Sequence, residues 1–191
     1  MKIEPTHIKN VFVIKPLVRE DERGFFMETH REDILEQAGV SFRCVQANHS
    51  LSTKKNTVRG LHFQYDPPMA KIMRVTRGRA FLVAVDIRKG SPTLGKWFGV
   101  EASEENKIQL YAPAGFARGF QTLEDMTEIQ YLTSGLYNKE GEAEISWLDS
   151  EINIDWPIKD SPILSDRSGK APSLSDWLNR PEADTFFFAS E

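Results

Sequence analysis

The stretch K-I-M-R-V-T-R-G-R-A-F-L-V-A-V-D-I-R, residues 71–88, carries two β-branched and aromatic runs, 71–76 and 80–88. Arg77-Gly78-Arg79 divides them, and a glycine there can take the positive φ that a tight hairpin turn requires. Similar runs recur on both sides: 11–16 (V-F-V-I-K-P), 42–48 and 58–64 before it, and 97–102, 108–112, 128–133 and 144–148 after it. Residues 31–38 (R-E-D-I-L-E-Q-A) read as a helix, closed by Gly39 where a left-handed C-cap is favoured. A short amphipathic helix is expected near 173–178. Many short strands spaced by turns, with little helix between them, predict an all-β sandwich or barrel rather than a βαβ sheet. A jelly roll with short peripheral helices is the expectation, although periodicity alone does not separate it from an immunoglobulin-like sandwich.

The 191 residues are 40% hydrophobic, 27% charged and 10% aromatic, enough for one substantial core. No repeat, low-complexity tract or linker divides them, so a single domain over 1–191 is expected, with a C-terminal extension from about 169 to 191. Lys and Arg total 24 against 28 Asp and Glu, a net charge of −4. That balance excludes a global basic footprint for nucleic acid or anionic membrane, while leaving room for a local positive pocket. The longest apolar run, 80–85, is far short of the roughly 20 residues that a spanning helix needs. The N-terminus, M-K-I-E-P-T-H, has no apolar signal core. The single cysteine, Cys44, cannot form a disulfide within the chain, and a cytoplasmic location is expected.

Several kinds of site are excluded by pattern. Neither a Gly-x-x-x-x-Gly-Lys-Ser/Thr loop nor a Gly-x-Gly-x-x-Gly after a strand is present. The Gly-rich stretch A-P-A-G-F-A-R-G-F, 112–120, has the wrong spacing for either. The four histidines are His7, His30, His49 and His62. None forms the His-x-His pair that a barrel metal site would use, so neither metal nor cofactor is expected.

R-G-L-H-F-Q, residues 59–64, holds the leading candidate. Strand alternation puts His62 on one face with Gly60 and Gln64, and Leu61 and Phe63 on the other. Such a histidine fits two roles, a base near neutral pH or a hydrogen-bonded structural group. Gln46 and Asn48 share a face on the preceding run, which begins a polar lining. D-E-R-G-F-F-M-E, 21–28, is either a solvated loop leading into an edge strand or a clamp, with Arg23 for phosphate and Phe25 or Phe26 for stacking. Tyr131 and Tyr137 are equally open between core packing and acid chemistry.

Together these segments resemble the dTDP-4-dehydrorhamnose 3,5-epimerase family. The matching pieces, in order, are D-E-R-G-F-F-M-E-T (21–29), Q-A-N-H-S (46–50) and V-R-G-L-H-F-Q (58–64). They continue with V-A-V-D-I-R-K-G-S-P-T-L-G-K-W (83–97), Y-A-P-A-G-F-A-R-G-F (111–120) and I-S-W-L-D (145–149). The resemblance implies a metal-free jelly roll of the RmlC-like cupin kind (a double-stranded β-helix). It also implies a homodimer whose residues around Phe26 complete the neighbouring site, and a nucleotide-linked 4-keto-6-deoxy sugar as substrate, dTDP-linked for preference.

By the same resemblance His62 is the base, Tyr131 the acid on the opposite face and Lys71 the cation beside the enolate oxygen. Arg23, Phe26, Glu28, Gln46, Asn48, Arg59, Tyr137, Glu142 and Arg167 become nucleotide and phosphate contacts. Three positions depart from the family pattern. Arg118 stands where a histidine is usual in the sugar-facing pocket, and Leu82 where an acid is usual. Ser168 takes the place of the aspartate that orients the catalytic histidine, and Asp166, two residues earlier, is the alternative partner. The departures leave open a C3-only epimerase, an epimerase of another nucleotide sugar, or a sugar-nucleotide-binding protein without activity.

Overall fold

The computed structural model describes residues 1–188. Its strands are β1 (Lys2–Pro5), β2 (Phe12–Lys15), β3 (Val18–Asp21), β4 (Gly24–Met27), β5 (Gln46–Ser52), β6 (Val58–Gln64) and β7 (Lys71–Arg77). They continue as β8 (Arg79–Asp86), β9 (Trp97–Ser103), β10 (Gln109–Ala112), β11 (Phe116–Thr122), β12 (Thr127–Thr133) and β13 (Glu142–Glu144). Helix α1 (Glu32–Gln37) precedes β5; α2 (Leu174–Leu178) and two 3-10 turns, Ser168–Lys170 and Pro181–Phe186, follow β13. Two antiparallel sheets, ordered β1-β2-β10-β7-β12-β5 and β13-β6-β11-β8-β9, make the expected jelly roll. Among the described residues, strands β3 and β4 pair only with each other. None of the described helices is long and apolar enough to cross a membrane.

Alternation sorts the side chains of each strand into two environments. On β8, Ala80, Leu82 and Ala84 point between the sheets, where Met73, Val75, Ile129 and Phe120 meet them. Val83 and Val85 point outward beside Leu61 and Phe63 of β6, into a second core closed by Trp156, Trp177 and Phe186. Phe63 meets Trp177 edge-on at 4.6 Å, and burying each such side chain is worth about 1.5–3 kcal/mol. Ser173 and Asp176 form a reciprocal capping box that starts α2 and presents Trp177 to this core. The segment from 145 to 186 thereby covers one side of β6, and the other side is left to face the interior. Residues 189–191 of the anticipated extension lie outside the described residues.

The 71–88 hairpin turns at Gly78 with φ +71°, as expected. Gly39 likewise closes α1 with φ +78°. Elsewhere the expectations shift. The 42–48 run is not a strand from its start: Phe42 packs edge-on against His30 and Tyr111 beneath α1, anchoring the connection. Pairing begins only where Gln46 meets Thr133, and it continues through the polar His49-Ser50-Leu51-Ser52 to Thr127. Partner strands override low intrinsic propensity there. Of the run 144–148 only Glu144 lies in a strand, β13 starting earlier at Glu142, because Ser146 donates its N–H to Pro172 and the chain leaves the sheet. Residues 116–122, which Gly119 disguises, form the wholly buried strand β11 between β6 and β8.

Candidate active site

Strict alternation would set Arg59 and His62 on opposite faces of β6, yet both line one cavity. The register explains this. Arg118 of β11 faces His62, but Phe120 faces Arg59, so β6 holds one extra residue and bulges between them. Gly60 sits in the bulge with φ +129°, and a Cβ added there would lie 2.6 Å from the Cα of Gly119. Only glycine fits a backbone approach this close in the left-handed region.

Across β6 lies β13, in the register Glu142↔Gln64 and Glu144↔His62. Its Glu-Ala-Glu pattern turns both carboxylates to the side that His62 faces and Ala143 to the outer core. From the six-stranded sheet, Lys71 opens β7 and Tyr131 stands on β12 opposite Met73 and Asn48. These strands enclose about 190 Å³ lined by His62, Lys71, Tyr131, Arg59, Arg118 and Glu142. The Lys71 ammonium lies 5.7 Å from the Tyr131 ring centroid.

Burial governs the electrostatics. It lowers the Lys71 pKa to about 8, assisted by the nearby Arg118 charge and opposed by Glu142. Arg118 is itself almost wholly buried, and burial brings it down to about 9. Its Nη2 donates to the carbonyls of Met69, Ala112 and Pro113, while Nε and Nη1 have no partner among the described residues. Burial raises the Tyr131 pKa, with Arg59 opposing and Glu142 adding to the rise. The phenol is therefore protonated at neutral pH and able to donate.

Most of the anticipated nucleotide contacts gather at the rim. Gln46 donates to Asn48 at 2.8 Å and accepts from the Tyr137 backbone N–H at 3.0 Å. Arg59 donates to the Ser52 hydroxyl and the Leu51 carbonyl. Tyr137 and Arg167 both donate to the Glu142 carboxylate, at 3.4 and 2.7 Å. Arg23, Phe26 and Glu28 are not brought to this cavity within one chain. Arg23 pairs with Asp21, Glu28 pairs with Arg31, and Phe26 is 68% exposed on the β3–β4 hairpin. Another of the departures, Leu82, lies wholly buried between the sheets rather than at the cavity.

The carboxylate at the His62 ring is Glu144, which the sequence reading passed over. Its Oε1 lies 3.2 Å from Nε2 of His62, and its side chain is only 3% exposed. Asp166 is not the partner: residues 166–170 coil through a turn into a 3-10 helix rather than an extended strand, so Asp166 points to solvent while Ser168 is buried. The signal for Glu144 was present in the sequence as the i, i+2 pair Glu142 and Glu144, since a strand that aims one at the cavity aims both.

A family model described as dTDP-4-dehydrorhamnose 3,5-epimerase matches residues 5–176. A dTDP-4-dehydrorhamnose 3,5-epimerase of Shigella flexneri is 48% identical over 169 residues, covering 87% of this chain and 92% of that protein. Among solved structures, a dTDP-6-deoxy-D-glucose-3,5-epimerase from Legionella pneumophila, in complex with dTDP-4-keto-L-rhamnose, superposes with a TM-score of 0.91. It is 39% identical, and the match covers 100% of this chain and 99% of that one. A 3′-monoepimerase from Streptomyces bikiniensis in complex with dTDP-quinovose superposes at 0.84 with 34% identity, over 90% of this chain and 87% of that one. By its sequence and by its fold, this chain belongs to the dTDP-4-dehydrorhamnose 3,5-epimerase family.

Proposed function

We propose that this protein inverts C3 and C5 of a dTDP-linked 4-keto-6-deoxyhexose. The observation that supports it best is the convergence of His62, Lys71 and Tyr131 on one cavity. The C4 ketone acidifies the hydrogens on both neighbouring carbons. His62 takes one as a proton, the C–H electron pair moves into the ring, and the ketone oxygen becomes an enolate beside the Lys71 ammonium. Tyr131 then delivers its phenolic proton to the opposite face of the carbon, and the enolate returns to ketone. Solvent exchange resets His62 and Tyr131 for the second carbon.

Incubating the protein with dTDP-4-keto-6-deoxyglucose in deuterated water is expected to place deuterium at both C3 and C5, read by NMR of the recovered sugar. Deuterium at C3 alone would replace this with the second reading, a C3 epimerase. That reading is favoured by the Arg118 guanidinium in the cavity wall and by the likeness to a monoepimerase. Absence of label at either carbon would defeat both.

The nucleotide end of the site is completed, on this reading, by the β3–β4 hairpin of a second copy. The hairpin presents Phe25 and Phe26, 56% and 68% exposed, and pairs with no other strand among the described residues. An inactive Phe26→Ala chain mixed with an inactive His62→Ala chain should regain up to about a quarter of wild-type activity, because one site in a mixed dimer then carries neither change. Mixed dimers without activity would oppose the shared site.

A further inference from the structure

The position where the family resemblance leads one to expect a carboxylate for the histidine is Ser168, and a serine hydroxyl carries no charge to balance an imidazolium. The structure places a carboxylate at the ring from another direction. Glu144 and His62 are directly opposed across the β13–β6 ladder, so their side chains leave the sheet together on one face at the spacing of a cross-strand pair. The contact is thus fixed by strand register rather than by a loop conformation. Glu144 Oε1 lies 3.2 Å from His62 Nε2, oblique to the ring N–H direction, and Glu144 Oε2 lies 3.3 Å from Arg167 Nε. Burial would raise the Glu144 pKa, but the His62 ring, the Ser168 hydroxyl and the Arg167 charge outweigh it and hold the carboxyl below its usual range. Ser168, buried, is tied to Ser165 at 2.9 Å and lies beside the Glu144 carboxyl, lining a recess that His62 also borders.

We propose that Glu144 is the positioning residue for His62, holding the ring proton on Nε2 so that Nδ1 carries the lone pair that removes hydrogen from the sugar. The inference rests on the epimerase reading for its last clause only. Where a charged partner sits on the C-terminal segment in the expected pattern, this chain has moved the charge onto β13 and left a hydroxyl behind. Glu144 touches the base rather than the sugar, so its loss lowers turnover while leaving substrate binding in place. Arg167 links the arrangement to Glu142 and Tyr137 at the rim, since its two nitrogens reach Glu142 and Glu144 at once.

The test uses Glu144→Gln, which keeps the side chain's size, and Glu144→Gln/Ser168→Asp, which returns a carboxylate beside position 144, where the Ser168 hydroxyl meets the Glu144 carboxyl. In ¹⁵N-histidine-labelled protein, with His62→Gln to assign its signals among the four histidines, the neutral His62 ring is expected to be protonated at Nε2. The single variant is expected to show mixed tautomers. Its kcat for deuterium exchange should fall about 100-fold with KM changed less than about threefold, and the double variant should recover about tenfold or more. A wild-type ring protonated on Nδ1 would overturn the proposal. So would a single variant within about twofold of wild type in kcat, or a loss in kcat with no change in tautomer and no rescue. The tautomer needs no substrate to measure, so a wild-type protein inactive on the sugar would count against the epimerase reading and leave this test intact.

Discussion

His62→Ala is expected to slow deuterium exchange at C3 and C5 by about 10³–10⁴-fold, with the fold unchanged. The size of the loss follows from what remains. Lys71 still polarises the ketone and Tyr131 still offers a proton, but Glu142, the carboxylate lining the cavity, is already engaged by Arg167 and Tyr137 at the rim and is a poor substitute for the base. Glu144, the nearest carboxylate, is 3% exposed and sits behind the ring rather than at the sugar. Arg59 and Arg118 line the same space as cations and cannot serve as bases. The fold is expected to survive because His62 is half-buried and faces the cavity, whereas the stabilising contacts of its strand belong to Leu61 and Phe63 on the opposite face. Circular dichroism and thermal unfolding check that half of the result. An alanine variant that exchanges within about tenfold of wild type would mean that another group is the base.

How much of this was legible in the sequence depended on how local its cause was. The Gly78 hairpin, the Gly39 cap and the extent of β6 were readable because turn chemistry and alternation act over a few residues. Period two alone set His62 with Gln64 apart from Leu61 and Phe63, but the third member of that set, Gly60, lies in the bulge. What failed was non-local. β11 is a strand because β6 and β8 flank it, against the preference of its Gly119. β5 begins at Gln46 because β12 ends there, and the more strand-like Phe42 was drawn into packing under α1. Arg59 joins His62 only through a bulge that needs Gly119 from another strand. Glu144 was missed for the same kind of reason. Attention to the C-terminal segment looked for the carboxylate along the chain, whereas the sheet delivers it sideways from β13. Asp166 illustrates the converse, since a side shared with Ser168 required an extended segment and the chain coils instead.

Lys71→Met is expected to cost about 10²–10³-fold in exchange rate, and the pH dependence of the wild-type protein should show why. Burial, reinforced by Arg118, brings the Lys71 ammonium to a pKa of about 8. The charged form that steadies the enolate is therefore present below that pH and is lost as pH rises through it, so activity should decline above about pH 8. Tyr131 does not blur this reading, because burial moves its phenol upward and it stays protonated through the same window. Stability should move the other way. The folded-state pKa lies below the ordinary lysine value of 10.5, so between about 8 and 10.5 the unfolded chain holds more protons at this position than the folded one. This group's penalty on folding is fully present below pH 8 and fades toward pH 10.5. Denaturant unfolding at pH 7 and pH 9 should accordingly show a smaller gain on raising the pH for Lys71→Met than for wild type, with the methionine protein at least as stable as wild type at pH 7. Opposed trends in activity and stability, both cancelled by one substitution, would mark a cation buried for chemistry at the expense of the fold. An exchange rate still rising at pH 9, or a methionine variant that keeps a tenth of wild-type activity, would remove Lys71 from the reaction.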